Sequence, residues 1–186
     1  GKDPYEFRRT LLAKSPKQLA VLEAVAKAAG WGRSLPPGVY QGIAQVDGYG
    51  SFVASVVEAS VRPDGHPKVH RVVTAIDCGN VVNPDTVKAQ TEGAVAWALS
   101  AAFYGEITIK NGGVEQGNYH DYPMVKMAEM PMVETVLVPS GDFWGGVGEP
   151  GAPPVTPALL NAMYKATGRR IRSLPIVKDS APRSAD

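Results

Sequence analysis

SFVASVVEASVRPDGHPKVHRVVTAID, Ser51 to Asp77, holds two runs of strand composition on either side of a single turn signal. Residues 51–61 and 69–77 are rich in β-branched and apolar types that suit a pleated, buried surface. Between them Pro63, Asp64 and Gly65 supply turn chemistry. The pattern predicts an antiparallel hairpin. Residues 39–46 (VYQGIAQV) add a strand ahead of it, set off by the breaker Leu35-Pro36-Pro37-Gly38, and 132–138 (MVETVLV) adds another. EITIK (106–110), the turn Asn111-Gly112-Gly113 and VEQGN predict a second hairpin. His66 and His70 flank the second strand of the main hairpin and could ligate metal. No third ligand lies near them in sequence, which favours a solvated hairpin end.

Helical signals surround this β region. Asp3, Pro4 and Glu6 read as N-cap, first position and capping-box partner, with Phe7 and Leu11 as the apolar stripe. Ser15, Pro16 and Gln18 repeat the signature ahead of Leu19, Leu22, Val25 and Ala29, and Gly30 suits a C-cap. Asn83 and Pro84 open a helix that runs to about Tyr104 and stops at Gly105. Its many Ala and Gly residues predict burial on nearly all sides, with Gln90, Gly93 and Trp97 on one face. A buried Gln needs a hydrogen-bond partner, from neighbouring backbone or from a ligand. Thr156 and Pro157 are read as the start of a last helix, closed by Gly168, and the tail from Val177 as frayed. The segment NYHDYPMVKMAEMP reads as irregular, either pocket wall or gap-filling core.

The expected fold is α+β, an antiparallel or mixed sheet with helices packed on it in a single domain. It divides into a helical lead-in at 1–30, a sheet at 39–138 with a buried helix at 84–104, and a loop and helix at 144–176. The 186 residues suffice for one real core. Nineteen basic against eighteen acidic residues leave a net charge of +1, which gives no footprint for nucleic acid. No apolar run reaches the ~20 residues of a membrane span. Cys78 is alone, so this chain holds no internal disulfide, cysteine-built zinc site or iron–sulfur cluster of its own. The chain begins at Gly1 and runs at once into helical sequence, which predicts a piece cut from a longer polypeptide.

WGGVGEPGAPPVTPALL, Trp144 to Leu160, mounts one carboxylate, Glu149, among glycines and prolines. Gly145, Gly146, Gly148 and Gly151 permit sharp bends or close approach, and Pro150 biases Glu149 toward an extended backbone. Gly146 to Gly151 matches G-x-G-x-x-G letter for letter, yet the context rejects a dinucleotide cradle. Pro150, Pro153 and Pro154 have no N–H to offer, and Glu149 would repel phosphate. Ile171 and Arg172 stand where the ribose-binding acid belongs. Nor is there a Lys-Ser or Lys-Thr pair for a P-loop. On the residues alone, Glu149 is either a rigidly mounted general base or a solvated turn carboxylate, and lone acids in such loops are more often the second.

Several stretches together resemble one family. VGEPG with its Pro-rich helix start resembles the active-site glutamate loop of the molybdenum hydroxylases, the xanthine oxidase and aldehyde oxidase family. DCGNVVNPDTVKAQTEGA and HDYPMVKMAEMPMVETVLVPS resemble two further stretches of that family, in the same order. The opening SPKQLAVLEAVAKAAGWG fits best the large-subunit type typified by isoquinoline 1-oxidoreductase subunit beta. The similarity runs from about Asp3 to Ile176. It implies the C-terminal part of a molybdopterin-binding subunit that hydroxylates an N-heterocycle or aldehyde carbon with water-derived oxygen. Glu149 would be the general base, and Gln90, Gly93 and Gly148 would lie at the cofactor. The cofactor implied is molybdenum–molybdopterin, in the cytosine dinucleotide form general among bacterial members. The partners implied are the remainder of the large subunit, a small iron–sulfur subunit and the heterocycle or aldehyde substrate. The family's glutamine- and glycine-rich cofactor loops are not in this chain. The isolated piece is therefore expected neither to retain cofactor nor to turn over. The competing expectation is a non-catalytic assembly module whose glycine loop shapes a subunit interface.

Overall fold

Three antiparallel strands, β1 (Tyr40–Gly48), β2 (Ser51–Val61) and β3 (Pro67–Asp77), pair in sequence order. The computed structural model describes residues 1–176, and the tail from Val177 lies outside them. The β1–β2 turn is Tyr49-Gly50, with φ of 56° and 75°. Two positive φ angles are what a two-residue turn matched to strand twist requires. The small hairpin β4 (Ile109–Lys110) and β5 (Gly113–Val114) is much shorter than EITIK and VEQGN led one to expect. Its turn is Asn111-Gly112, and both strands are exposed, so no burial extends the pairing. β6 (Met132–Leu137) then joins β3 in parallel, giving a mixed sheet of order β1-β2-β3-β6.

The pleat divides the sheet's side chains between two cores. Ile43, Ala54, Val56, Val73 and Ala75 face helix α2 (Pro16–Ala29), whose Val21, Leu22, Val25 and Ala29 are buried against them. Ala44, Val57, Ala59, Val69 and Val72 face α3 (Pro84–Phe103) and α4 (Val155–Thr167), packed by Val95, Leu99, Leu159 and Met163. Both faces are covered, which is why the strands read as continuous apolar runs. Each fully buried Leu or Val in these layers contributes roughly 1.5–3 kcal/mol. Gly42 lets α4 lie directly on β1: a Cβ there would fall 2.0 Å from the Ala158 carbonyl oxygen.

A polar cluster closes the α2 side. Glu58 is buried and meets Arg33 at 2.7 Å, Arg71 at 3.5 Å and the Gln41 amide at 3.2 Å. Gln41 Nε2 also donates to the Ala29 carbonyl and Arg71 to that of Ala28, so they satisfy carbonyls left open at the end of α2. A buried carboxylate needs such partners.

Helix signals mostly act as written. The short α1 (Pro4–Leu11) is capped by Asp3, which accepts from Tyr5 N and Glu6 N, and Gly30 and Gly168 take left-handed C-cap positions. Several expectations change. Glu6 pairs with Arg9 at 2.9 Å, and Ser15 makes no side-chain cap bond. α4 starts at Val155, one residue before the expected cap, because the Thr156 hydroxyl donates to the Ala98 carbonyl of α3 instead. The irregular segment is exposed at Tyr119 and Met127, while its Val125 packs against the core and its Met130 lines an open groove. Helix α3 is not buried all round. Val95, Ala98, Leu99 and Ala102 face the core, while Gln90, Gly93 and Trp97 look outward. Alanine carries little directional information, so its abundance did not distinguish the two faces. No helix among the described residues is long and apolar enough to cross a membrane.

Candidate functional site

The loop that carries Glu149 is fastened first at the end of β3. The buried Asp77 carboxylate accepts from Gly79 N at 2.9 Å, Ser140 N at 3.3 Å and Ser140 Oγ at 2.9 Å. Gly79 has φ of 77°, and a Cβ there would sit 2.1 Å from the Phe143 carbonyl oxygen, so only glycine fits. Asn80 Nδ2 donates to the Asp142 carbonyl at 2.8 Å. Lys17 of α2 pairs with the Asp142 side chain and, with the Phe143 amide, holds that carboxyl below its ordinary range.

Gly145 and Gly146 then cross the β1–β2 turn at backbone distance. Gly145 N donates to the Cys78 carbonyl at 2.9 Å and Gly146 N to that of Tyr49 at 2.8 Å. The buried Ser51 Oγ donates to the Gly146 carbonyl at 2.6 Å. A Cβ on Gly145 would lie 2.3 Å from Ser51 Oγ and 2.5 Å from the Gly50 carbonyl oxygen. Neither Gly145 nor Gly146 has a positive φ, so their use here is close approach rather than sharp bending. Their amides point into the fold, where a phosphate could not use them.

Beyond that crossing, Val147 packs with Val53, Ile76 and Val87. Pro150 and Gly151 are buried, and the Ala152 amide closes a turn onto the Glu149 carbonyl at 2.9 Å. A Cβ on Gly151 would meet Ala94 Cβ of α3 at 3.0 Å. Glu149 is thus bracketed by an anchored segment on each side, while it is itself exposed.

The open face of α3 adjoins this loop. A Cβ on Gly148 would be 3.9 Å from Gln90 Nε2, and one on Gly93, a helical turn further on, would meet nothing within 4 Å. The loop therefore brings Gly148 beside Gln90, with Glu149 next in the chain and Gly93 on the same outward face of α3. The Gln90 and Glu149 side chains have no hydrogen-bond partner among the described residues. Gln90 was expected on a buried face; it is exposed. Exposed Trp97, Phe143 and Trp144 belong to the same helix face and loop, the last two in edge-to-face contact with centroids 6.1 Å apart. Cys78 nearby is buried, and burial pushes its thiol up, away from the reactive thiolate. The two histidines stand apart: His70 Nε2 lies 2.8 Å from Ser60 Oγ, and His66 lines an open groove with Arg62 and Lys68. Among the described residues no group of three or more His, Cys, Asp or Glu could hold a metal ion.

Residues 15–131 match a family model described as the molybdopterin cofactor-binding domain, which covers more than half of the chain. The chain belongs to that family, within the molybdenum hydroxylases. The chain is 36% identical over 178 residues to isoquinoline 1-oxidoreductase subunit beta of Brevundimonas diminuta, covering 94% of itself and 23% of that protein. It is 33% identical over 195 residues to a membrane-bound aldehyde dehydrogenase (pyrroloquinoline-quinone) of Gluconacetobacter polyoxogenes, covering 94% and 25%. Quinoline 2-oxidoreductase from Pseudomonas putida 86 shares the fold at a TM-score of 0.60 and 19% identity, over 68% of this chain and 17% of that one. The chain spans about a quarter of the length of the curated relatives it matches. These relatives are oxidoreductases by name.

Sequence reasoning singled out Glu149, Gln90, Gly93 and Gly148, and Gly145 and Gly146 for close approach, but gave no anchoring role to Asp77 or Ser51. Asp77, two residues before Gly79, carried a legible Asx-turn signal. Ser51 carried none, because its role depends on a contact with Gly146 that only the folded chain creates.

Proposed function

We propose that this chain forms one wall of the molybdenum–pterin site of a hydroxylase acting on an N-heterocycle or an aldehyde, with Glu149 as its general base. The observation that carries the reading is the approach of Gly148, next to Glu149 in the chain, to Gln90 of α3, with both the Glu149 and Gln90 side chains exposed and without a hydrogen-bond partner among the described residues. This donor set fits an organic cofactor that brings its own metal, since the described residues offer polar atoms and glycine clearance rather than a ligand cluster. Gln90 would meet the cofactor with its amide, and Gly93 and Gly148 would leave room for it to approach. When bound, the cofactor supplies the redox centre at which substrate carbon is oxidised. Glu149 would accept a proton at a carboxylate oxygen. Anchors on both sides of the carboxylate hold it in place, so little reorganisation is needed when the proton moves. The cofactor would be the cytosine dinucleotide form, with iron–sulfur clusters on a partner subunit passing electrons onward.

The exposed Trp97, Phe143 and Trp144 favour a second reading, an assembly module whose loop only shapes an interface. Glu149→Gln in the complete enzyme separates the two. With a base at this position, turnover falls about 10²- to 10⁴-fold while molybdenum content stays normal. Near-normal turnover of the variant would sink the catalytic assignment.

A further inference from the structure

We infer that Ser51 is a positioning residue for Glu149, acting through the Gly146 carbonyl; the inference rests on the assignment of Glu149 as the base. Ser51 is 1% exposed and begins β2, directly after the tight Tyr49-Gly50 turn. Its hydroxyl is spent on one acceptor, the Gly146 carbonyl at 2.6 Å, three residues ahead of Glu149. On the same segment the Gly146 amide donates to the Tyr49 carbonyl and the Gly145 amide to that of Cys78. The loop is thereby stitched to both the β1–β2 turn and the end of β3. Of these three bonds, only the Ser51 bond comes from a side chain and can be deleted without altering a backbone.

The packing on this segment is one-sided. Gly145 lies so close to Ser51 and Gly50 that a methyl group has no room, which fixes how near the loop can come. The Ser51 hydroxyl adds to the two backbone bonds in the opposing pull, which limits how far the loop can move away. Downstream, Val147 and Pro150 are inserted and Gly151 rests on Ala94 of α3, so a shift at Gly146 is carried to the short stretch Gly148-Glu149 between the two anchors. Displacing a reacting group by about 1 Å can cost on the order of 100-fold in rate. Ser51 is buried and its hydroxyl bonds Gly146 rather than Glu149, so its influence must pass through the loop.

The test is a double-mutant cycle in the complete enzyme, joined to hydrogen exchange on the cofactor-free subunit. Ser51→Ala should lower kcat roughly 10- to 100-fold with KM and molybdenum content little changed. In the Glu149→Gln background the same substitution should have almost no further effect, because a positioning residue has nothing left to position. In the cofactor-free subunit, Ser51→Ala should speed exchange at the Gly145 and Gly146 amides while amides of β2 and β3 stay protected. Gly145→Ala, which pushes the loop from the other side, should reproduce the pattern if Ser51→Ala fails to fold. Equal losses from Ser51→Ala in both backgrounds, or unchanged exchange at Gly145 and Gly146, would overturn the role. Near-normal turnover of Glu149→Gln alone would instead remove the base on which the role depends, so the two failures are distinguishable.

Discussion

Tyr104 and Glu129 show how one contact can write a pH dependence into the fold. The Tyr104 hydroxyl donates to Glu129 Oε1, joining the end of α3 to the irregular segment before β6. Burial first, and then this bond to a carboxylate, push Tyr104 up to about 12. The same bond, with the Lys126 amide, holds Glu129 below its ordinary range against its own burial. The signs follow from linkage. A phenol whose folded pKa exceeds its unfolded value of about 10 contributes stability that is intact below pH 10 and lost as pH rises toward 12. A carboxylate with a depressed folded pKa contributes stability present above its unfolded value of about 4.3 and lost as pH falls through the folded one. Tyr104→Phe should therefore flatten the alkaline limb of the stability profile between about pH 10 and 12, and remove the latest-titrating phenolate from the ultraviolet difference spectrum. An unchanged alkaline limb would refute the assignment.

Two glycines in regular elements make opposite demands. Gly42 in β1 is pressed by α4, where an added Cβ would stand 2.0 Å from the Ala158 carbonyl and 2.4 Å from the Ala162 amide nitrogen. Both are backbone atoms that cannot step aside alone. Gly42→Ala should cost about 1–3 kcal/mol or more by overpacking, read as a lower denaturant midpoint. Gly93 in α3 opens on free space, so Gly93→Ala should gain roughly 0.5–1 kcal/mol from helix propensity alone. A loss of stability at Gly93 would contradict the open face. Elements of this kind were legible wherever the signal was local. Asn83 before Pro84 caps α3, accepting from Asp85 N and Thr86 N, and Gly30 ends α2 in the left-handed region, each as its residue type dictates. Helix facing was not legible in α3, where Ala94 is buried and Gly93 is open although both are small. The start of α4 was misread because a threonine reads as a cap until α3 is beside it to accept its hydroxyl.

For the whole molecule, strand composition and the main hairpin sufficed to specify an α+β sheet, whereas the parallel pairing of β6 with β3 depends on a chain path that no local pattern encodes. The candidate site shows the same division. The glycine loop stood out by composition, but its neighbour Gln90 joins it only through the folded approach of Gly148 to α3. That surface is one wall rather than an enclosure: Trp97 is 63% exposed, Trp144 57% and Phe143 82%. A site that holds a cofactor-sized ligand buries about 70–90% of it, which a single open wall cannot do. The two cores are complete without that wall, since Leu22, Ile43, Leu99 and Leu159 are fully covered by this chain's own residues. Folding and cofactor retention should therefore separate. The purified 186-residue chain should unfold cooperatively in denaturant yet lose molybdenum and pterin on desalting, while the complete subunit keeps both. Metal analysis beside a denaturation curve checks each half. Stoichiometric molybdenum on the isolated chain would show that these residues enclose the cofactor unaided; a chain that fails to unfold cooperatively would show that the open wall belongs to the folding unit after all.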